Sequence, residues 1–158
     1  MSVRISPATP DDVPTILSFI RELAEYEKLL DRVTATEQLL RDGLFGPRPY
    51  AEVLMARLDD EAVGYALFFH NFSTFLARPG IYLEDVYVRP AARGRGVGKA
   101  LLREVARTAR DRGCGRIEWS VLDWNKPSID FYLSIGAKPL DEWTTYRMDD
   151  AAIAALAK

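Results

Sequence analysis
Apolar and polar positions alternate along this chain with two periods, and the places where one period replaces the other set out its elements. Ile81-Tyr-Leu-Glu-Asp-Val-Tyr-Val88 holds aromatic and β-branched residues and predicts a strand, closed by Pro90, which cannot donate to a ladder. From Gly98 the period changes. Leu101, Leu102, Val105, Ala106 and Ala109 recur at helical spacing, and Gly113 offers that helix an exit. Before this pair, Val3 to Ile5 reads as a short strand. Thr9-Pro10-Asp11-Asp12 then opens a helix whose buried stripe is Ile16, Leu17, Ile20, Leu23 and Ala24. Thr34 is expected to cap a second helix carrying Leu39, Leu40 and Leu44, stopped by Gly43, Gly46 and Pro47. Val53 to Arg57 and Ala62 to Phe69 predict a hairpin, and Asn71 to Gly80 a polar and aromatic loop with Phe72 and Phe75 exposed.

After the central helix, Arg116 to Leu122 predicts a strand. Asn125 is placed to cap a helix with Pro127 in its first turn and Gly136 at its end. Lys138 to Met148 reads as a closing strand or hairpin, and the alanine-rich Ala151 to Lys158 as a short helix. Strands and helices alternate in the middle with hairpins around them, which is the pattern of a mixed α/β sheet.

Composition narrows the class. A chain of 158 residues, 48% hydrophobic, is expected to form one domain over 1–158 with a sizeable core. Its net charge of −2 argues against a general nucleic-acid binder. Cys114 and His70 are single representatives of their types, too few for an internal disulfide or a metal site, so no metal is expected. No apolar run approaches the ~20 residues that span a bilayer, and the first residues lack the apolar core of a signal peptide. The expectation is a cytoplasmic protein with no membrane partner.

The chemistry concentrates between the central strand and helix, at Arg93-Gly94-Arg95-Gly96-Val97-Gly98-Lys99. Alternate glycines let backbone N–H groups approach a ligand, and they lead into a helix start whose orphan amides and dipole attract anions. With Arg93 and Arg95 beside them, the expected ligand is a pyrophosphate. Neither the Gly-Lys-Ser/Thr ending nor the dinucleotide glycine spacing is present. Two adjacent carboxylates, Glu84 and Asp85, lie just ahead, in a run of apolar residues where buried charge is costly. Strand alternation sends them to opposite faces, so one can serve a cleft while the other makes a structural contact. Asn125, Ser128 and Tyr132 stand at i, i+3 and i+7 and share a helix face.

Arg93 to Gly98 matches the Arg/Gln-x-x-Gly-x-Gly/Ala signature of the GNAT N-acetyltransferases. Tyr82 to Val88, Leu122-Asp-Trp-Asn125, Ser128 to Tyr132 with Gly136-Ala137, and Glu22 to Lys28 resemble the diamine branch of that family, the spermidine/spermine and thialysine enzymes. The resemblance implies a mostly antiparallel mixed sheet with a splayed central strand pair, flanked by helices. It implies acetyl-CoA as donor, seated along Val86, Tyr87 and Val88, on Arg93 to Lys99, and beside Asn125, Lys126, Pro127, Ser128 and Tyr132. Glu84 would draw the acceptor's proton, and Tyr132 would be the acid beside the sulfur. Tyr26, Glu27, Asp85, Glu118, Trp119, Ser120 and Asp141 would line the acceptor site. Phe75 falls where the family has an acceptor-lining tryptophan, and a homodimer is the family's habit.

Transfer of acetyl to an amine needs three things: loss of a proton from an ammonium with pKa ~10, donors for a developing oxyanion, and a proton for the departing thiolate. The expected activity is direct acetylation of a small cationic amine, a diamine, polyamine or thialysine-like amino acid. Cys114 has no base near it in the sequence pattern, so a covalent cysteine route is not expected. Two rival readings are a non-catalytic acetyl-CoA sensor, against which Glu84 and Tyr132 together argue, and a protein-amine acetyltransferase, whose open peptide groove the 71–80 loop would obstruct.

Overall fold
The computed structural model describes residues 2–158, which fall into two compact units, one ending at Ser120 and one from Val121 to Lys158. In the first unit five strands form one sheet: β1 (Val3–Pro7), β2 (Glu52–Leu58), β3 (Glu61–Ser73), β4 (Arg78–Val88) and β5 (Ile117–Glu118). They lie in the order β1-β2-β3-β4-β5. The first four are antiparallel neighbours, whereas β5 joins β4 in parallel at only two positions, Ile81↔Ile117 and Tyr82↔Glu118. Beyond Tyr82, β3 is the only ladder partner of β4 among the described residues. The expected mixed, mostly antiparallel sheet with parting central strands is therefore present.

Helices α1 (Val13–Tyr26) and α2 (Glu37–Phe45) cover one face of the sheet, and α3 (Val97–Asp111) covers the other. Helix α3 buries Val97, Leu101, Val105 and Ala109 against Ala66, Phe68, Ile81 and Leu83. Each large side chain buried there contributes about 1.5–3 kcal/mol, and Leu101→Ala would cost ~2–5 kcal/mol. On the opposite face Ile16 and Phe19 of α1 and Leu44 of α2 meet Met55, Tyr65 and Tyr87. The start of α1 is tied down twice. Thr9 N–H donates to Asp12 Oδ2 at 2.9 Å, and Asp12 Oδ1 takes Arg57 at 2.6 Å, so the entry to the helix is pinned to β2.

Several boundaries differ from those the sequence suggests. Thr36, not Thr34, caps α2 by accepting from Leu39 N–H at 3.2 Å, and Gly43 lies inside the helix, which Gly46 ends. Residues 71–80 are not a loop. Asn71 to Ser73 complete β3 and Arg78 to Gly80 open β4, paired from Asn71↔Gly80 to Ser73↔Arg78, so only Thr74 to Ala77 turn. Cross-strand pairing holds together residues whose polar and aromatic composition reads as irregular.

The second unit contains α4 (Lys126–Ser134) and α5 (Asp150–Leu156). Asn125 Oδ1 caps α4 by accepting from Ser128 N–H at 3.4 Å. The strand expected over 116–122 is limited to Ile117–Glu118, and the expected closing strand at 138–148 is absent. Pro139 removes a ladder donor there, and a turn closes with Trp143 N–H on the Leu140 carbonyl at 3.2 Å.

Candidate active site
The glycine loop has the backbone that an anion cradle requires. Gly94 and Gly96 take φ of +78° and +79°, the left-handed region open to glycine, and no heavy atom lies within 4 Å of a Cβ built on either. Gly96 is the N-cap of α3, so the amides of Val97, Gly98 and Lys99 stand outside the helix ladder at its positive end. Arg95 and Lys99 are exposed on the same short stretch. Arg93 is engaged elsewhere: its Nε donates to the Val88 carbonyl at 2.9 Å, and its guanidinium lies over the rings of Tyr26 (5.4 Å) and Tyr87 (5.9 Å). These residues fit a pyrophosphate: bare amides, a helix dipole and two exposed cations.

Strand β4 is irregular at the carboxylate pair. Leu67 faces Asp85 and Phe68 faces Leu83, so the register passes over Glu84, the extra residue of a β-bulge. The bulge inverts the phase of the strand. Ile81 and Leu83 point into the α3 core, but Tyr87 points into the α1–α2 core, and Asp85 reaches Tyr65, which packs on that same side. Glu84 is left exposed at the inversion.

Asp85 is half-buried and accepts from the Tyr65 hydroxyl at 2.6 Å. Burial raises its carboxyl above the usual range, and the Tyr65 bond opposes that shift. Glu27, the residue that caps α1 at its C-terminus, is raised by its own burial and then by the Asp85 charge. The Tyr65 phenol is pushed up by burial, by Asp85, and further by the charges of Glu27 and Glu84. Of the carboxylates expected at an acceptor site, Asp85 bonds this buried hydroxyl directly, and the charges of Glu27 and Glu84 act on it from further off. Tyr65 itself escaped the sequence reading, because an aromatic in a strand signals packing and nothing local marks its partner.

Alternation also sorts the backbone of β4. Arg89 N–H donates to the Val63 carbonyl at 2.9 Å, which places the amide of Tyr87 toward β3 and those of Val86 and Val88 on the other edge. The residues at and just after the end of β5 divide by face. Trp119 packs against the α3 core, whereas Glu118 accepts from Asn71 Nδ2 at 3.3 Å and Ser120 Oγ bonds the Tyr82 hydroxyl at 2.9 Å. Of the stretch 118–120, Trp119 is half-buried against that core.

In the second unit Asn125 is buried at the cap, Ser128 and Tyr132 are half-buried on α4, and the Tyr132 ring lies 5.9 Å from that of Phe131. Lys126 pairs with Asp130 at 2.7 Å, Pro127 stands in the first turn, and Asp141 is exposed in a turn. Cys114 does have a base near it. His70 Nδ1 is 3.9 Å from its sulfur, but that nitrogen also meets the Gly80 carbonyl at 3.0 Å. The pair lies past the far end of α3, roughly 20 Å of helix from the glycine loop.

The first unit thus sets an anion cradle at a helix start directly after a bulged strand that carries two carboxylates. Residues 17–137 match the Acetyltransferase (GNAT) family model, and the chain belongs to that family. It is 42% identical to the thialysine N-epsilon-acetyltransferase of Sus scrofa, over 99% of this chain and 98% of that one. It is 34% identical to an L-ornithine N5-acetyltransferase of Arabidopsis thaliana, over 100% of this chain and 89% of that one. A solved integron cassette protein from V. cholerae superposes with a TM-score of 0.83 at 29% identity, covering 100% of this chain and 99% of its own. The chain is an acetyl-CoA-dependent N-acetyltransferase that moves acetyl to an amine. Among the described residues no helix is long and apolar enough to cross a membrane.

Proposed function
We propose that this enzyme acts as one catalytic domain and acetylates the primary amine of a small acceptor bearing more than one amino group, a lysine-like amino acid such as thialysine or a short diamine or polyamine. The observation that carries the reading is the pair of carboxylates on the strand that leads into the anion cradle, Glu84 exposed at the bulge and Asp85 bonded to Tyr65, with Glu27 at the end of α1 near enough for the Asp85 charge to raise it. Such a group attracts a polycation and repels an anion. The names of relatives acting on thialysine and ornithine support the same class.

Bound acetyl-CoA supplies the activated acyl group; the remaining tasks fall to the chain. The amides of Val97 to Lys99, with Arg95 and Lys99, hold the pyrophosphate. Glu84, exposed at the bulge, takes the ammonium proton, directly or through one water, and so frees the amine to attack the thioester carbonyl. The outward amide of Val86 or Val88 stabilises the charge developing on the acyl oxygen. As the C–S bond breaks the thiolate takes a proton, the role of donor being the one the family resemblance gives to the Tyr132 phenol. The nitrogen's second proton passes to solvent, from which the phenolate is restored, leaving an amide and a free thiol.

The test is kcat/KM against pH for wild type and Glu84→Gln with thialysine, diamines and an arylamine. The variant is expected to lose most near neutral pH and to recover partly at high pH, where the amine is already deprotonated. A wild-type preference for the arylamine, or parallel pH profiles, would overturn the reading.

A further inference from the structure
We propose that Tyr65 is a positioning residue of the acceptor site: it fixes the carboxylate of Asp85, one of the acidic groups on which the acceptor reading seats a second ammonium. The inference rests on the cationic-acceptor reading and adds to it a residue and a specificity. Tyr65 is fully buried, and its ring stacks on Phe19 at 5.6 Å with the planes 16° apart, so the phenol cannot swing away. Its hydroxyl donates to Asp85 Oδ2 at 2.6 Å, a short charge-assisted bond that sets the carboxylate's orientation and leaves Oδ1 for another donor. Asp85 lies next in sequence to Glu84, the proposed base, but the bulge directs it to the α1 side, where its charge acts on Glu27.

Burial disfavours the charged form of both carboxyls, and Glu27 and Asp85 take part in no ion pair among the described residues that would offset that cost. A ligand ammonium would relieve that cost, whereas a one-amine acceptor, its single nitrogen at Glu84, would leave it in place. Selectivity for two amino groups then follows from the Asp85–Glu27 pair, and Tyr65 sets how well the pair is presented. The titratable groups around Asp85 are Tyr65 on β3, Glu27 after α1 and Glu84 on β4 itself. Because the Tyr65 bond favours the ionised carboxylate, removing it moves Asp85 protonation to higher pH.

Tyr65→Phe, Asp85→Asn and the double variant, as full chains at saturating acetyl-CoA, can be compared with wild type on thialysine, 1,4-diaminobutane and n-butylamine. Tyr65→Phe is expected to lower kcat/KM for the better two-amine acceptor about tenfold, through KM, and to change n-butylamine less than twofold. The acid limb of its two-amine profile should move to higher pH, and the loss should shrink when Asp85 is already Asn, as expected of a residue acting through its partner. An equal loss on both amine classes, full additivity with Asp85→Asn, or unchanged discrimination would each overturn the Tyr65 role while the acceptor reading stood. If wild type itself favours n-butylamine over both two-amine acceptors, the acceptor reading fails, and this inference with it.

Discussion

Arg89 grips Glu22 with a forked ion pair, Nε at 3.1 Å from Oε1 and a terminal nitrogen at 3.1 Å from Oε2, and the Tyr87 hydroxyl adds a bond to the same carboxylate at 3.0 Å. Arg89 also lies 4.7 Å above the Phe19 ring. These contacts tie the later turns of α1 to the residues that end β4. Helix α1 ends at Tyr26 and Glu27, and β4 carries Glu84 and Asp85, so the fork sets how the two halves of the acidic group face each other.

Breaking the fork should therefore loosen the acceptor site along with the fold. Arg89→Leu leaves Glu22 half-buried with only a neutral donor, and removing a charge-assisted bond of this kind costs about 1–3 kcal/mol. For a chain of this length each ~1 kcal/mol lowers Tm by about 2–4 °C. KM for the amine should rise several-fold while KM for acetyl-CoA stays near wild type. Calorimetry and steady-state kinetics on one preparation check both, and an effect confined to acetyl-CoA would disprove the coupling.

Gly96 and Gly113 provide a matched pair for the cofactor loop. Both have φ near the same value, +79° and +72°, at opposite ends of α3, and neither has a heavy atom within 4 Å of a built Cβ. An alanine at either position carries the same left-handed backbone cost, roughly 1–2 kcal/mol. Gly96→Ala should in addition weaken CoA binding at least ~10-fold, about 1.4 kcal/mol, because the added methyl occupies the face a phosphate approaches. Gly113→Ala should lower Tm similarly and leave CoA affinity unchanged. Titration calorimetry with CoA that finds the two variants alike would remove the loop from the binding site.

Much of this was legible before any coordinates, for local reasons. The Arg93 to Gly98 loop and the α3 stripe depend on residues a few positions apart, where periodicity and glycine placement speak directly. Glu84 and Asp85 stood out because adjacent charges in an apolar strand need a reason. The bulge at Glu84 did not show, since it depends on how β3 and β4 register, and neither strand records its partner's phase. Tyr65 and the Glu22–Arg89 fork were missed likewise, their partners being 20 and 67 positions away. At 71–80 polar composition outweighed cross-strand pairing, and at 138–148 apolar residues suggested a strand that Pro139 and a turn interrupt. Thr34 and Thr36 differ by two positions, and hydrogen bonding chooses between them.

The sharpest consequence of the acidic group is a conflict between stability and activity at Asp85. Its folded carboxyl is raised above the unfolded range chiefly by burial, so the folded chain favours the protonated form. The favourable contribution is fully present below the unfolded pKa of ~3.9 and is lost as pH rises through the folded value; above it the ionised carboxylate is a net burden. Glu27 behaves with the same sign, and Glu52, held low first by its bond to Arg112, with the opposite one. Asp85→Asn keeps an oxygen to accept from Tyr65 and removes the charge. Without amine, the variant should therefore melt above wild type at pH 8, by about 2–4 °C for a gain of ~1 kcal/mol, and the gain should fade toward pH 4. Its kcat/KM for a two-amine acceptor should fall about tenfold or more at pH 8. Adding that acceptor should raise the Tm of wild type more than that of the variant, since ligand binding stabilises only in proportion to affinity. Calorimetric melts at pH 4 and pH 8, each with and without the amine, test the chain of reasoning. A variant less stable than wild type at pH 8 would mean that Asp85 is held by structural bonds and is not kept charged for a cation.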